Sequence, residues 1–166
     1  MKNTVDRVVV GNLEENTYIL TIEDKTYLID PGDEPSKIEE KLNGRKVDVI
    51  LITHHHFDHA GALDYFEKKY HLIHNQGEDE NFKIISTPGH SKDSLTYYFP
   101  QLKLMFTGDF IFESTIGRMD LPGGSIKEMQ DSLEKIKDYP DDIVLYPGHG
   151  DKTILGLEKK NFDYYF

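Results

Sequence analysis

The chain has 166 residues, and 30 Asp and Glu against 19 Lys and Arg leave a net charge of −11 at pH 7. So acidic a surface repels phosphate backbones and anionic lipid, no apolar run can span a bilayer, and residues 1–20 lack the apolar core and cleavage site of a leader. With no cysteine, disulfides, thiolate metal sites, iron–sulfur clusters and cysteine nucleophiles are excluded. A single cytoplasmic, soluble domain over residues 1–166 is expected, with a small-molecule partner and neither nucleic acid nor membrane.

Short strands are expected over 7–10, 18–22 and 27–29, the last stopping at Asp30-Pro31-Gly32. Ser36 is placed to cap a helix over 37–42, with Glu39 as its capping-box partner and Asn43-Gly44 closing it. Residues 47–52 are nearly all apolar, as in a strand buried on both faces. That strand runs into Thr53-His54-His55-His56-Phe57-Asp58-His59. A helix over 62–69, a short strand over 71–74 and a strand over 83–86 follow, the last ending at Pro88-Gly89-His90. Strands over 95–99 and 103–106 then lead to Gly108-Asp109. Ser125 caps an amphipathic helix reaching 137, with Ile126, Met129, Leu133 and Ile136 at helical spacing. A strand over 143–146 stops at Pro147-Gly148-His149, and a helix over 153–160 is the last element. The aromatics of 162–166 suit packing on the body or on a neighbouring subunit, so a homo-oligomer stays open.

The His and Asp residues fall where these strands end. His54, His56, Asp58 and His59 follow one strand; His90, Asp109 and His149 follow three others. Strand ends at one sheet edge are where open α/β architectures place their sites. In an extended segment residues i and i+2 point the same way, so His54 and His56 can face one ion while His55 points elsewhere. Asp58 and His59, on the next turn, can face a second. Imidazole and carboxylate without thiolate suit zinc, iron or manganese.

His54-x-His56-x-Asp58-His59, followed in order by His90, Asp109 and His149, resembles the metallo-β-lactamase superfamily from the Asp30 turn to His149. Gly117-Arg118-Met119-Asp120-Leu121-Pro122-Gly123-Gly124, Tyr146-Pro147-Gly148-His149-Gly150 and Asn16-Thr17-Tyr18 resemble its hydroxyacylglutathione hydrolase (glyoxalase II-like) branch. The resemblance implies a four-layered αββα sandwich holding two divalent ions, with zinc the expected metal and iron or manganese the alternatives. It places His54, His56 and His90 on one ion, Asp58, His59 and His149 on the other, and Asp109 between them. Asp30 then matches the residue that supports the His loop by hydrogen bonding, and Arg118 the basic substrate-binding position.

The chemistry so implied is hydrolysis of a small thioester, or a related ester, by a hydroxide bridging the two metals and oriented by Asp58. A thiolate leaves with little protonation because thiol pKa values lie near 8.5, so no general acid is demanded. Lactone hydrolysis, a mononuclear iron persulfide dioxygenase and a weakly active metal-binding protein remain as alternatives. Two departures bear on substrate grip. His90 follows His59 after only 31 positions, where relatives carry a longer insert, and Asp120 stands where an aromatic is usual. The C-terminal helical domain of glyoxalase II is not expected in this chain.

Overall fold

In the computed structural model, which describes residues 2–166, β1 (Asn3–Val10) and β2 (Glu15–Ile22) pair antiparallel. β3 (Lys25–Ile29) extends this meander, and β4 (Val49–Leu51) joins β3 in parallel. A parallel neighbour requires a crossover, and α1 (Pro35–Leu42) supplies it. α2 (Phe57–Ala60) and α3 (Leu63–Tyr70) follow β4. These elements make one compact unit, Met1–Gln76. Its strands place Ile19, Leu28 and Ile50 in register across the sheet. This row packs with Ile38 and Leu42 of α1 and Leu63 and Phe66 of α3. Each such side chain fully buried contributes about 1.5–3 kcal/mol.

The second unit, Gly77–Phe166, holds β5 (Lys83–Ser86), β6 (Leu95–Phe99), β7 (Leu104–Gly108), β10 (Val144–Pro147) and β11 (Thr153–Ile154) in the sheet order β11-β10-β7-β6-β5. β8 (Ile111–Phe112) and β9 (Thr115–Ile116) form a small separate hairpin. Because β6 runs against both β5 and β7, and β10 runs with β7, strands β5, β7 and β10 point the same way. Met105 and Leu145 sit in register on one sheet face and cluster with Met129, Leu133 and Ile136 of α4 (Ile126–Ile136) and Leu155 of α5 (Leu155–Lys159). The opposite face is aromatic: Phe82, Phe99, Phe106 and Tyr146 follow one another at ring separations of 5.4–5.8 Å. Among the described residues, no helix is long and apolar enough to cross a membrane.

Several expected elements shift. Helix α1 begins at Pro35 with Glu34 as N-cap, and no side chain caps it, so the Ser36 capping box does not form. Proline sets its own φ and needs no N–H partner in the first turn, which starts the helix earlier. Asn43 closes it in the left-handed conformation, as expected. No strand covers 71–74: His71 adopts φ 56° as the C-cap of α3, and the chain then runs irregularly. The apolar run 47–52 is paired only over Val49–Leu51. The stretch 153–160 divides into β11 and α5. Ser125 caps α4 by accepting from the Glu128 N–H, but Ile126 in its first turn is exposed.

Candidate metal centre

In the unit Met1–Gln76 the parallel pair β3–β4 brings Asp30 and the His loop to one edge, since both follow C-terminal strand ends. Asp30 is buried at φ 51°, a backbone conformation that costs a non-glycine residue about 1–2 kcal/mol. The surrounding hydrogen bonds hold it there. Its N–H donates to the Leu51 carbonyl at 2.9 Å. One carboxylate oxygen accepts the Thr53 N–H at 2.7 Å, and the other accepts the Thr53 hydroxyl at 2.6 Å and His59 Nδ1 at 2.9 Å.

These bonds fix tautomers. A carboxylate only accepts, so His59 carries its proton on Nδ1 and its lone pair on Nε2. The Thr53 hydroxyl spends its proton on Asp30, so its oxygen, 3.1 Å from His54 Nδ1, accepts from that nitrogen and leaves the His54 lone pair on Nε2. The His54 ring lies 4.7 Å from that of His56 and 4.2 Å from that of His59. Asp58, half-buried in α2, has Oδ2 3.5 Å from His59 Nε2. The turn after Asp30 is pressed against this helix: a Cβ on Gly32 would meet the Asp58 carbonyl at 2.0 Å. Only glycine fits.

In the unit Gly77–Phe166 the common direction of β5, β7 and β10 sends His90, Asp109 and His149 to the same sheet edge. His90 Nδ1 donates to the Arg118 carbonyl at 2.8 Å, so its lone pair is on Nε2, 3.4 Å from Asp109 Oδ2. His149 Nε2 is 3.6 Å from Asp109 Oδ1. The main chain supports both loops: Gly148 N–H donates to the Gly108 carbonyl at 2.8 Å. A Cβ on Gly117 would meet the Asp109 carbonyl at 1.7 Å.

The Arg118 side chain, matched by resemblance to a substrate-binding position, is paired within its own loop. Its guanidinium donates to both carboxylate oxygens of Asp120, at 2.7 and 2.8 Å, in a solvent-exposed pair. The Arg118 hydrogen bonds hold the Asp120 carboxyl down at about 2. His55, expected to point away from His54 and His56, is exposed and shares a 2.9 Å hydrogen bond with His74, which in turn contacts Glu67 at 2.9 Å.

Sequence reasoning missed Glu15 and Thr53. Glu15 is fully buried, with Oε1 3.5 Å from His59 Nδ1. Burial pushes its carboxyl well above the usual carboxylate range; His59 draws it down, the Asp30 charge raises it further, and the Thr17 hydroxyl lowers it. An acid opening a strand beside Asn16-Thr17-Tyr18 was the available signal. Thr53 lay in plain view between an apolar run and the first histidine.

The residues fit a cation. Three buried imidazoles present Nε2 lone pairs, each fixed by an Nδ1 hydrogen bond, as metal-ligating histidines require, and carboxylates stand beside two of them. Comparison with known proteins agrees. The sequence model of the metallo-beta-lactamase superfamily matches residues 10–74 and 72–149. The probable metallo-hydrolase YqgX of Bacillus subtilis (strain 168) is 32% identical, over 92% of this chain and 93% of its own length. The hydroxyacylglutathione hydrolase of Chromohalobacter salexigens is 31% identical over 76% of this chain, covering 57% of that longer protein. TTHA1623, solved in a di-iron-bound form, matches the fold with a TM-score of 0.84 at 29% identity, over 92% of this chain and 96% of that one.

Proposed function

Since the chain belongs to the metallo-beta-lactamase superfamily and shares its α/β fold, we propose that residues 1–166 act as one catalytic domain, a metal-dependent hydrolase of small thioesters of the hydroxyacylglutathione kind. His54, His56 and His90 would hold one divalent ion, and Asp58, His59, Asp109 and His149 a second, with Asp109 shared. Zinc is the metal proposed first, and iron or manganese would suit the same nitrogen and oxygen donors. The observation that carries the proposal is the set of Nε2 lone pairs on His54, His59 and His90, fixed by Asp30, Thr53 and the Arg118 carbonyl. The relatives support it: one is a hydroxyacylglutathione hydrolase, another a probable metallo-hydrolase.

Bound ions lower the pKa of a coordinated water to about 7 and polarise a substrate carbonyl. The chain's own residues do the remainder. Asp58, held in α2 against the Gly32 turn, would help hold an ion and accept a hydrogen bond from the attacking water, turning a water lone pair toward the acyl carbon. Asp30 keeps the His59 proton on Nδ1 throughout. The thiol leaves as thiolate, so no side chain need protonate it. Arg118 is the candidate contact for an anionic substrate group, in competition with Asp120.

Protein reconstituted with zinc, iron or manganese in turn should hydrolyse S-lactoylglutathione faster than an acyl-homoserine lactone. Turnover of the lactone alone, or oxygen uptake with a persulfide and a single iron per chain, would replace the thioester assignment. Metal binding without turnover of any of them would leave a metal-binding protein.

A further inference from the structure

The mechanism leaves the buried acid Glu15 without a task. Glu15, the first residue of β2, is 1% exposed. Its Oε1 lies 3.5 Å from His59 Nδ1, on the same side of the ring as Asp30. Its Oε2 lies 3.1 Å from the Thr17 hydroxyl, which also meets the Asp30 carbonyl at 2.7 Å and the Gly32 N–H at 3.2 Å. A Cβ on Gly32 would come within 2.3 Å of Glu15 Oε2 and 2.0 Å of the Asp58 carbonyl. Glu15, the turn after β3 and the helix bearing Asp58 and His59 therefore pack together with no room for one extra methyl.

Burying a carboxyl costs free energy that an apolar side chain of similar volume would not. Space-filling alone gives no reason for glutamate here. The contacts do: one oxygen faces the imidazole and the other ties to the hydroxyl that holds the Asp30–Gly32 turn. We infer that Glu15 is a positioning residue for His59, closing the inner side of the ring together with Asp30 so that Nε2 is presented on the side of Asp58. Asp30 sets which nitrogen carries the proton; Glu15 limits how far the ring and the turn beneath it can rotate. The inference rests on the two-metal assignment proposed above.

The test is metal affinity in the full chain, read by competition with a chelator, for the wild type, Glu15→Leu and Glu15→Gln. Leucine fills the space without polar contacts. Glutamine keeps an N–H for the Thr17 oxygen and a carbonyl toward His59. Glu15→Leu should weaken one of two binding steps about 10–100-fold, as loss of a residue supporting a metal ligand commonly does, and leave the other step unchanged. Glu15→Gln should restore the lost affinity. Wild-type affinity at both steps in Glu15→Leu would overturn the inference alone, as would equal loss in the leucine and glutamine variants. A wild-type chain holding fewer than two ions would overturn both this inference and the two-metal assignment.

Discussion

In the unit Met1–Gln76 a single side chain, Asp30, orients one imidazole directly and a second through Thr53, whereas in Gly77–Phe166 the main chain does the equivalent work for His90. The first arrangement concentrates risk in one carboxylate. The second spreads it over glycines that allow loops to touch, and leaves the side chain of Arg118 with no part in holding His90. The two halves should therefore fail in different ways when their supports are changed.

Asp30→Ala is expected to have the largest effect. It orphans the buried Thr53 N–H, at about 1–3 kcal/mol, and releases His59 and the Thr53 hydroxyl together. Metal affinity should fall at both steps and thioester turnover with it, measured by chelator competition and steady-state rates. Retention of both ions at wild-type affinity would show that the carboxylate is not the organiser of this half. Gly117→Ala should come next. Its Cβ meets the Asp109 carbonyl at 1.7 Å, so the loop must move, and binding steps that use His90 or Asp109 should weaken while the tautomers of His54 and His59, followed by imidazole NMR, stay as in the wild type.

Smaller effects separate side chain from main chain at residue 118. Arg118→Ala should leave metal content unchanged, because the group that holds His90 is a carbonyl. Asp120→Ala frees the guanidinium from its two-point partner and should raise kcat/KM for an anionic thioester several-fold relative to a neutral one. The double variant Arg118→Ala/Asp120→Ala should lose that gain. An equal gain in the double variant would place the effect elsewhere than on Arg118.

The site was more legible in the sequence than the elements around it. His54, His56, Asp58, His59, His90, Asp109 and His149 stand out because strand ends, turn residues and ligand types coincide, and these are local signals. Asp30 was legible only through family resemblance, since one aspartate before Pro-Gly reads equally well as a turn. Glu15 left only the signal of an acid beside Asn16-Thr17-Tyr18: its place behind His59 is created by the approach of the Gly32 turn, a tertiary event that no spacing encodes. The misplaced elements have local causes. Pro35 overrode the Ser36 cap, the left-handed His71 ended α3 where a strand was expected, and β8 and β9 have only two residues each, too few to show a period.

The central proposal is that the chain's His and Asp donors hold two ions in two distinct sets. Metal content per chain in the wild type, His56→Ala and His149→Ala tests it most directly. Two ions in the wild type and one in each variant, with thioester turnover lost in both, is the expected result. A single ion in the wild type, or two ions in either variant, would contradict it.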